Sequence, residues 1–235
     1  MAHNENHPTP ENIMKIGTGF WASKILLSAV KFQIFTTLAE KRTMSAKEIK
    51  NHLGLKCTDR NVYDYLDALT TLGFLNREGL LDTAKYSNHN DTDFFLDKNK
   101  SSYIGGILEM LNNRLYNFWG SLEDGLLTGL PQNEAKSGGD LFEALYSDAD
   151  RLKEFIHAMS GIQMGNFMAF AQTFDFSKSK TLVDIGGSGA MLSLMVAKHQ
   201  AHMTCVSWDL PAVAPIAQEN ILKFQLQDRV KTANG

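Results

Sequence analysis

The residues best suited to chemistry lie between Thr181 and Asp209. An apolar pair, Leu182-Val183, leads to an acid, Asp184, and Gly186, Gly187 and Gly189 follow at once. An apolar, helix-like run from Met191 to Ala197 comes next. This order reads as a strand, a tight glycine turn and a helix start. Glycines there let a ligand approach the backbone, and a helix N-terminus offers unpaired N–H groups. A second apolar run, Met203 to Trp208, ends in Asp209, about one β-α-β unit further on. An acid at that place commonly holds ribose hydroxyls.

Taken alone, such a turn leaves several readings open. Glycine-rich strand–helix turns serve NAD, FAD, other nucleotides and S-adenosylmethionine, and some bind nothing. The register does not fit GxGxxG, because Ser188, Gly189, Ala190 and Met191 follow Gly187. A metal centre is not expected. The seven histidines are scattered, and His199 and His202 form a close pair in a loop before a strand, which suits solvated side chains better than ligands. Cys57 and Cys205 are far apart and suggest no disulfide framework, so a reduced, cytoplasmic protein is expected.

The elements that must position these residues come from a chain of 235 residues, enough for one large or two small domains. A net charge of −3 gives no electrostatic case for nucleic acid or anionic membranes as partners. No apolar run is expected to reach bilayer length. Residues 1–11 read as a disordered tail. From Ile13 to Ala39 the apolar spacing predicts one long helix, apolar on more than one face, as packing against a second copy would require. Over 12–95 the order is that of a winged helix. Ser45 and Glu48 form a capping box, Gly54 stops that helix, and Thr58 or Asp59 starts the next. Phe74 to Leu81 reads as the wing hairpin. The second helix, Asp59 to Asp67, carries more acids than bases, which argues against a DNA-binding regulator. Residues 96–178 read as helical, with Asp140 capping LFEALYSD and a long Met- and Phe-rich helix from Ala149 to Phe170. Residues 179–235 read as β-α-β-α with a further strand near Val230. The fold class expected is α/β: a mostly helical N-terminal domain, then the first part of a Rossmann-like sheet.

Together, SAKEIKNHLGL, VYDYLDALTTLGFLNREG, FWGSLEDGLLTG, LFEALYSDADRLKEFIHAMSG, LVDIGGSGA and SWDLPAV resemble the small-molecule O-methyltransferases that use S-adenosylmethionine. The group meant has a dimerising winged-helix N-terminus and includes caffeate-, acetylserotonin- and bacterial natural-product-type enzymes. The likeness covers about residues 13–235. It implies S-adenosylmethionine as cofactor, a small aromatic or enolic hydroxyl as methyl acceptor, and a homodimer. By the same resemblance Asp184, Gly186, Gly187, Ser188 and Gly189 lie beside the methionine part of the cofactor. Asp209 would bind the ribose hydroxyls, Leu210 would flank the adenine, and Tyr146 would also touch cofactor. Gln163 stands where such members place an aromatic contact. Trp119, Phe155, Met159, Met164 and Phe167 would line the acceptor pocket.

Two departures from the family pattern carry expectations. The loop usually reads Asp-x-Gly-Gly-Gly-x-Gly; here either Ser188 and Ala190 replace glycines in register, or one glycine is lost. An alanine forced to positive φ costs about 1 kcal/mol or more. The resemblance also places the general-base histidine beyond Gly235, so no catalytic residue is assigned within the chain. The 235-residue chain reads as an incomplete fragment with little or no methyl transfer of its own, or as a non-catalytic dimer scaffold.

Overall fold

Weak helix formers divide the first apolar stretch into three helices instead of the single one expected. α1 (Glu11–Gly17) ends at Thr18, between two glycines, and α2 (Gly19–Lys31) ends before Gln33, which takes a left-handed conformation (φ 55). α3 (Ile34–Lys41) follows. The computed structural model describes residues 8–138 and 145–235, in two compact units that divide after Asn99. Of the expected 1–11 tail, residues 1–7 lie outside the described ones, and Glu11 already opens α1 after Pro10. By length and composition Glu11–Lys31 could cross a membrane, which corrects the reading that no run is long enough. Ile13, Ile16, Phe20 and Trp21 leave this stretch with an uncovered apolar face in the N-terminal unit.

The rest of that unit is a helix pair and a small sheet. β1 (Met44–Ser45) leads into α4 (Ala46–Leu53), where Glu48 reaches back to the Ser45 N–H at 2.6 Å and Gly54 (φ 63) ends the helix. Thr58 caps α5 (Asp59–Thr71) through a second box with Asn61. β2 (Leu75–Glu78) pairs antiparallel with β3 (Lys85–Asn88), and β1 lies on β3's other side. The wing is therefore longer than the expected 74–81. A 3₁₀ turn at Leu81–Thr83 intervenes, and the returning strand is a polar run that buries Tyr86 alone of its four residues. α6 (Asn90–Phe95) closes the unit. Val62, Leu66 and Leu69 of α5 are buried with Phe35, Leu38 and Ile49 in its core.

In the second unit α7 (Gly105–Met110) passes through a π turn, Leu111–Leu115, into α8 (Tyr116–Trp119). α9 (Leu122–Thr128) stops at left-handed Gly129. The helix start expected at Asp140 falls on residues outside the described ones; Leu145 and Tyr146 are helical. α10 (Ala149–Thr173) is capped by Asp148, which accepts the N–H groups of Asp150 and Arg151 at 3.1 Å. Then come β4 (Thr181–Ile185), α11 (Met191–His199), β5 (Thr204–Asp209), α12 (Ala214–Lys223) and β6 (Val230–Asn234). The strands are parallel in the order β4-β5-β6, with Leu182 opposite Cys205 and Asp184 opposite Ser207. α11 is buried on nearly every side: Leu194, Val196 and Ala197 join Met203, Cys205, Ala171 and Val230 in one apolar cluster. That accounts for a helix with so little polar surface. The opposite sheet face is open, with Val183 52 % and Ile185 82 % exposed.

Candidate functional site

Parallel pairing brings the two singled-out acids to neighbouring strand ends. Ile185 lies opposite Trp208, so the glycine loop after β4 and Asp209 at the end of β5 meet at the carboxyl edge of the sheet. Open α/β sheets bind ligands in the crevice outside that edge.

The loop is held by its own amides. The N–H groups of Gly186 and Gly187 both donate to the Trp208 carbonyl, at 2.8 and 3.1 Å. The Ser188 N–H donates to Asp209 Oδ2 at 2.8 Å, and the Leu210 N–H to Asp209 Oδ1 at 2.7 Å. The Ala190 N–H donates to the Gly187 carbonyl, and the Asn220 amide donates to the Gly189 carbonyl at 2.9 Å. This corrects the expectation of free loop amides. Gly186, Gly187 and Ser188 already have acceptors, so the loop offers a ligand shape and close approach rather than a set of vacant donors. Each Asp209 oxygen holds one donor and retains capacity for another.

Close packing explains why Gly187 is bare. A Cβ there would collide with Ser207 Oγ and lie 3.0 Å from the Asp184 carbonyl oxygen. At Gly189 a Cβ would meet the Asn220 amide at 2.9 Å and Ile156 at 3.0 Å. Ser188 (φ 51) and Ala190 (φ 62) are both left-handed, as is Gly186 (φ 75). Two L-residues thus stand in glycine-favouring conformations at the third and last glycine positions of the pattern. Left-handed backbone at Ser188 and Ala190 is what replacement of glycines in register would leave behind.

Charge marks the site as well. Burial, and then the Asp209 carboxylate, push Asp184 above the usual carboxylate range. Burial and the same carboxylate raise the Tyr146 phenol, so Tyr146 stands within electrostatic reach of Asp209. It packs with Phe155 against Leu152, Ile156 and Val213. Ser207 and Asn220 escaped the sequence reading. Ser207 has a signal in retrospect, since it lies two residues before Asp209 and on the Asp184 side of the sheet. Its hydroxyl is buried and, among the described residues, unpartnered. Asn220 sits mid-helix and has none.

Other expected site residues are dispersed. Gln163 is exposed and accepts from Asn166 at 2.9 Å. Met164 and Phe167 pack against the α11 cluster, as the plain core reading of this helix requires. Met159 is half-buried on α10 and Leu210 is exposed. Trp119 lines a cavity with α8, α9 and residues 129–133, and none of the α10 residues reaches it. His199 contacts the Met195 carbonyl and Gln172, and His202 the Phe176 carbonyl. Both lie at the end of the strands opposite the glycine loop.

Comparisons with known proteins now decide the family. Two family descriptions match in succession: an O-methyltransferase dimerisation domain over residues 14–98 and an O-methyltransferase domain over residues 119–235. The chain is 31 % identical over 226 residues to the tetracenomycin polyketide synthesis 8-O-methyl transferase TcmO of Streptomyces glaucescens, covering 96 % of this chain and 64 % of that protein. The chain belongs to the S-adenosylmethionine-dependent O-methyltransferases. Within the family it is also 28 % identical to the N,N-dimethyltransferase OxyT of Streptomyces rimosus, over 95 % of this chain and 63 % of that one. The O-methyltransferase fold is shared with human N-acetylserotonin methyltransferase in complex with SAM, at a TM-score of 0.84 and 20 % identity, over all of this chain and 68 % of that one. The chain spans a little under two thirds of the length of the curated relatives just named.

Proposed function

We propose that the crevice between the glycine loop and Asp209 holds S-adenosylmethionine, and that the chain serves methyl transfer to the hydroxyl of a small aromatic or enolic compound. One observation carries the reading: Asp184 and Asp209 end neighbouring strands beside a loop whose Gly186, Gly187 and Ser188 amides are already bonded, and burial and then the Asp209 carboxylate raise Asp184. A dinucleotide pyrophosphate is held by free N–H donors at such a loop, and those of Gly186, Gly187 and Ser188 are taken. A sulfonium cation needs no such donors and is favoured by a nearby carboxylate such as Asp184. The residues therefore fit the family's cofactor.

When bound, S-adenosylmethionine supplies an electrophilic methyl group that already carries its leaving group. The chain's own residues position. Asp209 presents two oxygens to vicinal ribose hydroxyls, Leu210 flanks the base, and bare Gly187 and Gly189 admit close approach. Tyr146 closes the side nearest Asp209. Holding donor and acceptor in line is the main source of acceleration open to such an enzyme, up to about 7–11 kcal/mol in well-oriented systems. The relatives named above include both an O- and an N-methyl transferase, and the hydroxyl is the reading favoured by the family match. The uncovered Ile13, Ile16, Phe20 and Trp21 face supports a homodimer formed through the N-terminal helices.

Calorimetry tests the cofactor reading. S-adenosylmethionine is expected to bind and NAD to fail. Asp209→Ala should weaken binding by about 10-fold or more, the worth of hydrogen bonds to a charged acceptor. Tighter binding of NAD, or unchanged affinity in Asp209→Ala, overturns the assignment. Absence of cofactor binding would favour the scaffold reading instead, and sedimentation as a pure monomer would remove the dimer.

A further inference from the structure

We infer that Ser207 is a positioning residue: its hydroxyl donates to the Asp184 carboxylate when S-adenosylmethionine fills the crevice, and so holds that carboxylate charged beside the ligand. The inference rests on the cofactor reading above. Strand register brings the pair together. Asp184 of β4 stands opposite Ser207 of β5, and Ser207 opposite Thr232 of β6. Leu182, Cys205 and Val230, two residues earlier on each strand, pack in the apolar cluster with α11. By the strand period of two, the polar row faces the same helices. Thr232 is tied to α12, where it accepts from the Gln218 amide at 3.3 Å.

Two unmet needs lie side by side. Ser207 is 2 % exposed, and its hydroxyl has no partner among the described residues. Asp184 is half-buried, and among the described residues no donor reaches its carboxylate. Both groups border the bare Cα of Gly187: a Cβ there would collide with Ser207 Oγ and lie 3.2 Å from Asp184 Oδ2. The missing side chain leaves the hydroxyl room to turn. A hydroxyl has one hydrogen to donate, and a carboxylate accepts several. In the free protein, solvent reaches the open side of Asp184. A bound cofactor shuts that side off, and a desolvated carboxylate stays charged only with a donor in place. Ser207 supplies the donor from behind by a side-chain rotation. The ionisable groups that reach Asp184 are Asp209 and Cys205, both on β5, and α11 has none from Met191 to Ala197. Asp209 opposes charge on Asp184, and burial pushes the Cys205 thiol up to about 11, so that it stays neutral. Neither of the two does the work of the hydroxyl.

The test titrates the full chain with S-adenosylmethionine by calorimetry, beside thermal unfolding without ligand. Ser207→Ala removes a hydroxyl that has no partner in the free protein, so its unfolding midpoint should lie within about 1 °C of the parent or above it. Its affinity for S-adenosylmethionine should nevertheless fall by about 10-fold or more at slightly alkaline pH, the worth of a hydrogen bond to a charged acceptor. That defect should shrink as pH falls through the titration of Asp184, because a protonated carboxyl no longer needs the donor. A defect in packing alone would not change with pH. In an Asp184→Ala background, adding Ser207→Ala should change the affinity by less than about threefold. Unchanged affinity in Ser207→Ala, a defect that is constant with pH, independent losses in the double variant, or a destabilised free protein would each overturn the inference while the parent still binds. A parent chain that binds no S-adenosylmethionine would overturn the cofactor reading, and this inference with it.

Discussion

Adding one methyl group at Gly187 gives the sharpest test of the loop geometry. Gly187 is not left-handed, so Gly187→Ala carries no conformational penalty of the kind found at Gly186. Its cost is space alone. The new Cβ would coincide with the Ser207 hydroxyl, sit 3.0 Å from the Asp184 carbonyl oxygen and 3.2 Å from its carboxylate. Ser207 is 2 % exposed, and the carbonyl is part of the central ladder, so neither retreats freely. Overpacking of this kind costs about 1–3 kcal/mol. For a unit of this size that is roughly a 3–10 °C fall in the midpoint of its thermal transition. Relief would move the loop away from Trp208 and break the paired N–H bonds to that carbonyl, so cofactor affinity should fall too. The assay is thermal unfolding followed by tryptophan emission, with calorimetric titration of S-adenosylhomocysteine. Gly187→Ala made together with Ser207→Ala should recover about half of the loss, because the hydroxyl goes and the carbonyl stays. A midpoint within about 1 °C of the parent, or strict additivity in the double variant, would refute the account of why this glycine is bare.

Three further outcomes are expected. Ser188→Gly should stabilise the chain by about 0.5 kcal/mol, the left-handed penalty less the extra freedom of glycine in the unfolded chain; urea denaturation would read it, and a loss of stability would show that the serine is not strained. Asp184 holds its proton more tightly folded than unfolded, so its charge detracts from stability above the ordinary carboxylate value, most fully once pH passes its raised folded value. Asp184→Asn should therefore be at least as stable as the parent at pH 7 and lose that advantage on acidification, while binding S-adenosylmethionine more weakly; a variant less stable at pH 7 than at pH 5, relative to the parent, would reverse the sign. Ile185 is 82 % exposed, so Ile185→Ser should change the unfolding free energy by less than about 0.5 kcal/mol, and a larger loss would mean that this face is covered in solution.

The parts of the fold visible in the sequence are those fixed by local chemistry. Ser45 with Glu48 announces a helix start because both partners lie within one turn, and the structure forms that box. The apolar pair Leu182-Val183 ending in Asp184 and the run from Met203 to Trp208 announce the two strands, since each is a short apolar segment bounded by an acid. What was not legible depends on conformations that residue type does not signal. Glutamine has no marked left-handed preference, yet Gln33 breaks the first apolar stretch. Lys85 to Asn88 looks like a loop by composition and is a strand because Tyr86 finds the core.

The site divides along the same line. Asp209 was legible as an acid at a strand end, but not as the group that anchors the Ser188 amide at 2.8 Å. That bond depends on the register between β4 and β5, which no single segment encodes. It also changes how the loop should be understood. With Gly186 and Gly187 bonded to Trp208, and Ser188 to Asp209, the loop's amides brace the crevice instead of facing it. Ser188 and Ala190 keep the backbone N–H that glycine would have, and their cost is the left-handed φ alone. The feature that looked like decay in the sequence is consistent, in three dimensions, with a loop still built to admit a cationic cofactor beside two carboxylates.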